Sequence, residues 1–529
     1  MSTPGIYLST TIPYINGRPH LGHALEFVQA DVLARHYRQA GNQVRLQSGT
    51  DDNSLKNVLA AAAEGTDVAD LVSRNSAAFE ALSGPLQLSF DDFIRTSSDP
   101  RHRPGVERFW RACAARGDLY RKSYQGLYCT GCEQFYRPAE LDGGRCPEHG
   151  TEPEPVAEEN WFFRLSRYAS RLREEITSGR LRIEPAARRH EVLAFIDGGL
   201  EDFSASRPAS RAGGWGIPVP GDPGQVIYVW WDALGNYITS LGYGEGTEAP
   251  EFRRWWAGPG QRIHLAGKGV LRFHAVYWPA MLLSAGLPLP TAIYVHDYLT
   301  IGGAKISKSA AGPAARAADP AALAAAYGPD AVRWWLLREV PRTGDADFTP
   351  ERLVTRANED LANGLGNLVS RVTSMVHRYR DGVVPAAGDA APASAAQLAA
   401  ACGRLPAEIA AALARPDFRA ATATLASAVS QANRCIEDTA PWRLARSAAG
   451  GDPVAAGQLD AVLAALAGAC RVLAAELAPF LPGLAARVAA ACTAGPDGRL
   501  PAPKPLYPRL EVSVITGSDQ GSDRKVLRG

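Results

Sequence analysis

The sequence predicts an α/β protein built on a parallel sheet, interrupted by a small cysteine-bearing insertion and followed by an all-α helical bundle. Three observations carry that prediction. Residues 6–10 (Ile-Tyr-Leu-Ser-Thr) and 43–47 (Gln-Val-Arg-Leu-Gln) read as short strands. Between them Leu21, Leu25, Val28 and Val32 recur at helical spacing, and a strand-helix-strand unit of this kind implies parallel pairing. Cys129, Cys132, Cys146 and His149 group in one stretch. From about residue 350 the chain turns Ala/Leu-rich with a 3.6-residue period and few strand signals, as in a bundle.

Taken in order, the first strand ends in the turn Ile12-Pro13-Tyr14-Ile15-Asn16-Gly17-Arg18-Pro19, and His20-Leu21-Gly22-His23 opens the helix. In open parallel sheets ligands bind beyond the carboxyl ends of the strands, where a helix N-terminus offers N–H groups to phosphate. Gly22 lets backbone approach a bulky ligand, and two imidazoles one turn apart donate to phosphate oxygens. A zinc pair is the competing reading. Zincins, however, space their histidines i, i+4 with a Glu between, whereas these are i, i+3 with none, so the pattern fits a nucleotide better than a metal.

The chain then reads as helical to about Ser83, with a new unit opening at Phe90 to Phe93 and a further helix over about Glu107 to Asp118. Cys129-x-x-Cys132 and Cys146-x-x-His149 follow. That spacing is a structural zinc knuckle, whose four ligands close a tetrahedron and fold an insertion rather than do chemistry; three unrelated thiols and an imidazole are the alternative. Cys113, Cys402, Cys435, Cys470 and Cys492 have no partner pattern and read as buried small hydrophobes.

Around Gln225 the pattern returns to the sheet, and the aromatic stretch Val226 to Tyr237 reads as a strand running into a helix. Trp230, Ala233 and Tyr237 fall on one side of that helix, the kind of surface that lines an apolar pocket, whereas Trp231 reads as core. A strand over Arg262 to Ala266 leads to Gly267-Lys268-Gly269-Val270-Leu271-Arg272-Phe273-His274. The run Ala275 to Val295 is uncharged and long enough to span a bilayer, but Pro279, Gly286, Pro288 and Pro290 break it, so it reads as a buried helix end before a new strand. Ile301-Gly302-Gly303-Ala304 then presents Lys305 and Lys308, with the glycines allowing movement. Two lysines alone are usually a solvated charge run. Combined with His20 and His23 they fit phosphoryl chemistry, where catalysis is mostly positioning and cationic stabilisation.

Composition narrows the class. With 529 residues, 46% hydrophobic and 21% charged, the chain fits two or three globular domains, each with its own core. A formal net charge of +1 gives no global nucleic-acid signature, so any basic surface must be local. Eight cysteines are too few for a disulfide scaffold. Without a signal-peptide layout, a cytoplasmic location is expected.

The histidine turn, Pro-Tyr-Ile-Asn-Gly-x-x-His-Leu-Gly-His, resembles the first signature of class I aminoacyl-tRNA synthetases, and Ala304-Lys305-Ile306-Ser307-Lys308-Ser309 resembles the second. The Trp230 segment is similar to the corresponding motif of the methionyl branch, and the resemblance covers about residues 5 to 510. It implies a Rossmann-type catalytic domain in two halves (1–115 and 226–349), a connective insertion with a zinc knuckle (116–225), a helical anticodon-binding domain (350–515) and a disordered tail (516–529).

The implied activity is ATP-dependent activation of methionine and its transfer to methionine tRNA, with Mg2+ and Zn2+, by a monomer that needs no membrane. The implied catalytic residues are His20, His23, Lys305 and Lys308. Thr11, His20, Gly22, His23, Gly267 and Lys308 would bind ATP. Ile12, Tyr14, Trp230, Ala233, Leu234, Tyr237, Val270 and His274 would line the side-chain pocket, and Asp51 would hold the ammonium group. Cys129, Cys132, Cys146 and His149 would hold zinc, the last a departure from the usual four cysteines. Asn367, Arg371 and Trp442 would read the anticodon, with core packing the alternative for Trp442.

Three further departures from the family pattern lie near the site. Gly269 stands where an Asp usually accepts from ribose, Asn53-Ser54 replaces His-Gly, and Asp297 replaces a Gly. A tRNA-independent amino-acid-activating ligase derived from this family is the alternative function. A non-catalytic RNA- or zinc-binding module fits less well, because both nucleotide signatures are intact.

Overall fold

The computed structural model describes residues 5–131, 133–148, 150–306, 318–386 and 391–512, without the side chains of Gln134 and Lys305. A six-stranded parallel sheet organises the first two-thirds of the chain. Its order across the sheet is Asp92–Arg95, Val44–Thr50, Ile6–Ser9, Gln261–Gly267, Ala292–His296, Arg182–Glu184. The first strand is central and fully buried, its Leu8 in register with Leu46 on one side and Ile263 on the other. From it the chain winds outward to one edge and later returns on the opposite flank, which leaves a crevice at the carboxyl ends of Ile6–Ser9 and Gln261–Gly267. The helix Leu21–Gln39 crosses from the first strand to the second and buries Leu21, Leu25, Val28 and Val32, the predicted face.

The uncharged run at 275–295 divides as expected: helix Trp278–Ala285 ends at Gly286 in the left-handed conformation (φ 71°), and Ala292–His296 is a buried strand. The strand preceding Trp230 differs from the sequence reading. Asp222–Ile227 pairs antiparallel with Ser206–Pro208 and Pro218–Val219 in a separate small sheet, so the aromatic segment approaches the cavity from the side. Conversely, Arg182–Glu184, within the stretch expected to form the insertion, pairs parallel with Ala292–His296 at the edge of the main sheet. Three residues with one buried side chain, Ile183, carry too little pattern to register as a strand.

The rest of the insertion combines an antiparallel sheet, dominated by the long pair Leu119–Cys129 and Glu154–Phe163, with the helices Ala169–Thr177 and Ala186–Asp197. From Pro350 to Cys492 the described chain is mostly helical, including Asn367–Arg380, Ala393–Leu413, Phe418–Thr439 and Pro453–Leu477. The last of these is long and apolar enough to cross a membrane, but 56% of its most apolar window is buried in the bundle.

Separate cores were expected, yet one continuous apolar cluster runs from Ile6 and Leu46 through Trp335 to Leu466 and Val488. Arg333 stitches that seam. Fully buried, it pairs with Asp31 at 2.8 Å and donates to the carbonyls of Leu86, Pro479 and Phe480, satisfying a guanidinium that burial would otherwise disfavour.

Candidate active site

The histidine turn caps its own helix. His20 is the N-cap, and its Nδ1 accepts from the Gly22 N–H at 3.1 Å, while His23 Nδ1 accepts from the His20 N–H at 3.0 Å. The rings stack at 3.8 Å. Because Nδ1 accepts in both rings, the proton of each neutral imidazole sits on Nε2. Gly22 is required by this fold-back, since a Cβ there would lie 2.9 Å from His20 Cε1. The glycine thus serves the cap as much as any ligand.

Beyond the carboxyl ends of the two central strands lies a cavity of about 700 Å³. All fourteen of the expected ATP and amino-acid positions that fall among the described residues line it: Thr11, His20, Gly22, His23 and Gly267, and Ile12, Tyr14, Asp51, Trp230, Ala233, Leu234, Tyr237, Val270 and His274. Trp230 stacks face to face on Phe273 (3.8 Å, 4°) and meets Tyr14 edge-on. His274 Nδ1 donates to the Val270 carbonyl at 2.9 Å, and Tyr237 donates its hydroxyl proton to His274 Nε2 at 2.8 Å. Burial pulls the His274 pKa down, so this wall is aromatic, uncharged and suited to an apolar side chain.

Asp51 ends the apolar wall. Its N–H donates to the Pro13 carbonyl at 3.0 Å and its carbonyl accepts from Asn57 at 3.1 Å. Among the described residues, Oδ1 is buried without a hydrogen-bond partner. Burial, then the charges of Asp232, Glu133 and Asp52, push this carboxyl well above the usual range. A buried acceptor so placed calls for a cation.

Sequence reasoning missed Glu26. It sits one turn after His23, where Oε1 accepts from the Thr11 N–H and hydroxyl, each at 2.6 Å, and Oε2 pairs with His296 Nε2 at 2.9 Å. It thereby ties the ends of two strands across the crevice. Burial lowers the His296 pKa, and Glu26 more than offsets it, leaving the group raised. The only available signal was a carboxylate inside the otherwise apolar run Leu25-Glu26-Phe27-Val28. Thr11, expected at the nucleotide, has both its donors engaged by Glu26.

Comparison with known proteins fits this geometry. Residues 6–152 and 136–373 match the family model described as tRNA synthetases class I (M). A methionine–tRNA ligase of Mesorhizobium japonicum is 39% identical over 96% of this chain and 98% of its own length, and one from Mycobacterium tuberculosis is 44% identical over 75% of each. The chain belongs to the class I tRNA synthetases of the methionine group. Among solved structures of that group, M. tuberculosis methionyl-tRNA synthetase in complex with methionyl-adenylate superposes with TM-score 0.89 at 36% identity, covering 96% of this chain and 100% of that one. The apo form of the same enzyme gives 0.82 at 34%, covering 97% and 99%.

Against the family pattern, each departure has a local cause. At Gly269 a Cβ would overlap the Tyr298 hydroxyl. Tyr298 lies under Lys268 Nζ (4.6 Å to the ring centroid) and donates to Glu148 Oε2 at 3.3 Å. Asp297 does not replace the missing carboxylate: it is paired with Arg188 and accepts from the Gly344 N–H. Asn53 donates to Asp232 at 2.7 Å, and Asp232 is held in turn by buried His102. Ser54 caps helix Leu55–Glu64.

Because the Gly269 corner is filled, Gly269→Asp is expected to destabilise the fold by about 1–3 kcal/mol through overpacking and to raise the Michaelis constant for ATP. Tyr298→Ala in the same chain should relieve both effects. An urea titration and ATP kinetics check this, and tighter ATP in the single variant would refute it.

Lys305 pairs with Thr300 across a hairpin whose turn is Gly302-Gly303, both with positive φ (59° and 77°). These glycines form a tight two-residue turn rather than a source of movement. The next residue, Ile306, lines the cavity. Lys308 lies outside the described residues, but the chain beyond it re-enters at Ala318, whose carbonyl accepts from the Leu21 N–H at 2.9 Å. That bond ties the end of the segment to the histidine helix.

Cys132 and His149 also lie outside the described residues. Cys129 and Cys146 are buried in a small cluster with Tyr136, and among the described residues no group of three or more metal-ligating side chains occurs. In the bundle, Arg371 and Trp442 line one groove with Arg378 and Tyr379, whereas Asn367 is exposed outside it. Trp442 is 44% exposed, not core. The five unpatterned cysteines are all buried, as expected.

Proposed function

We propose that the protein activates methionine with ATP and transfers it to the 3′-terminal adenosine of methionine tRNA. The observation that carries this is the buried Asp51 Oδ1, without a partner among the described residues, at the end of an aromatic, uncharged pocket, within one cavity with a histidine-capped helix N-terminus. The Mesorhizobium japonicum relative named as a methionine–tRNA ligase matches along 96% of the chain, bundle included, and nothing favours the tRNA-independent alternative.

Asp51 holds the methionine ammonium group. Tyr14, Trp230, Ala233, Leu234, Tyr237, Val270 and His274, with Ile12, take the thioether side chain. Gly22, Gly267 and Thr11 line the bed for the nucleotide, which arrives with Mg2+, and the Nε2–H groups of His20 and His23 donate to its phosphates. The amino-acid carboxylate attacks the α-phosphate and pyrophosphate leaves. Lys305 and Lys308 stabilise the charge that gathers on the departing oxygens, and no side chain acts as nucleophile. At the far end, Trp442 stacks on an anticodon base, with Arg371 and Asn367 at base edges.

The domain division at 115/116, 225/226 and 349/350, the polar tail from 516, a cytoplasmic location and a monomeric state complete the reading. Pyrophosphate exchange with each amino acid, followed by tRNA charging, tests it. Methionine-dependent exchange with charging of methionine tRNA is expected, and robust exchange without charging would overturn the tRNA half.

Zinc belongs to the same proposal. Among the described residues, the cluster around Cys129 and Cys146 holds only Tyr136 and Leu141 besides, little apolar mass to fix a hairpin tip. The Cys146 turn closes through Gly150 N–H to its carbonyl at 2.7 Å. A tetrahedral ion held by Cys129, Cys132, Cys146 and His149 would supply the missing cross-link and no chemistry. About one zinc per chain is expected by metal analysis, and chelation should unfold the insertion as read by proteolysis. Metal-free, protease-resistant protein would refute it.

A further inference from the structure

The cysteine-bearing hairpin reaches the substrate cavity. Thr130 and Gly131 stand in its wall. Two residues on, Glu133 is 2% exposed and held at φ 55°, a costly combination for a non-glycine carboxylate unless its surroundings enforce it. They do. Oε1 accepts from the Ser54 hydroxyl at 2.6 Å and from the Lys56 N–H at 3.1 Å, on the first turn of helix Leu55–Glu64. The Glu133 carbonyl accepts from Arg207 at 3.4 Å, whose guanidinium packs against Tyr128, Phe135 and Tyr228. The helix that Glu133 grips also frames the ammonium subsite, because Asn57 on it donates to the carbonyls of Asp51 and Asp52 at 3.1 and 2.9 Å.

We infer that Glu133 is a positioning residue for the amino acid: it locks the tip of the insertion onto the N-terminus of helix Leu55–Glu64, setting the Thr130–Gly131 wall and the Asp51 carboxylate in one fixed relation. The inference rests on the cavity being the methionine site. It also gives the Asn53-Ser54 departure a purpose, because Ser54 supplies the hydroxyl that Glu133 accepts from.

The test compares Glu133→Ala, Glu133→Gln and Ser54→Ala in the full chain by methionine- and ATP-dependent pyrophosphate exchange, with zinc content and melting followed in parallel. Glu133→Ala should raise the methionine Michaelis constant about tenfold and leave kcat within about threefold. Glu133→Gln, which keeps an acceptor, should fall between it and wild type. Ser54→Ala should act in the same direction, and the Ser54→Ala/Glu133→Ala pair should be no worse than Glu133→Ala alone.

An unchanged methionine constant in folded, zinc-loaded Glu133→Ala overturns the inference, as does strict additivity of the pair or an equal loss for methionine and ATP. Should Glu133→Ala fail to fold, Ser54→Ala decides, and a wild-type methionine constant there refutes the lock. No methionine-dependent exchange by the unmutated chain would instead sink the methionine reading itself.

Discussion

Asp51→Asn is expected to raise the Michaelis constant for methionine by about 10²-fold or more, the scale of removing one partner from a desolvated charge pair, with little change for ATP. The orphaned Oδ1 has no protein donor to lose, so the fold should tolerate the change while the ligand does not. The same carboxylate predicts a pH dependence. Burial, with the Asp232, Glu133 and Asp52 charges, raises its pKa, so the unliganded protein keeps the proton to a higher pH than an ordinary aspartate would. Ammonium binding requires the ionised form, so methionine affinity should fall as pH drops through that raised value, with a proton released on binding inside the window. In Asp51→Asn the dependence should flatten. Calorimetry across pH in two buffers reads both effects, and an Asn variant that still binds methionine as wild type would remove Asp51 from the site.

Lys308→Ala should slow the turnover of pyrophosphate exchange by roughly 10²-fold or more and barely move the methionine constant, because its charge is needed where negative charge accumulates on the triphosphate. Ile306, two residues earlier, lines the cavity, and the hairpin at Leu299–Ile301 and Ala304–Lys305 aims the chain there. Turnover within a fewfold of wild type would show that the second signature does no work in this protein.

Legibility in the sequence followed the range of the interactions. The histidine turn, the Trp230 face and the helix end at Gly286 are local patterns of apolar period and punctuation, and all were readable. Contacts that join distant segments were not. Glu26 looks like an error in an apolar face until His296, from a different strand, lies 2.9 Å away. Gly269 looks like a lost carboxylate until Tyr298 is seen to fill its corner. The edge strand Arg182–Glu184 is too short to carry an alternation, and only its pairing with Ala292–His296 makes it part of the sheet. The shared core of sheet and bundle escaped for a related reason, since apolar periodicity tells which face a helix buries but not against what.

The bond from the Leu21 N–H to the Ala318 carbonyl makes the start of the histidine helix answerable to a part of the chain about 300 residues away. Leu21 is the first residue of that helix, a position at which proline fits the backbone but has no N–H to give. Leu21→Pro should therefore cut the tie to Ala318 while leaving the His20 and His23 caps in place.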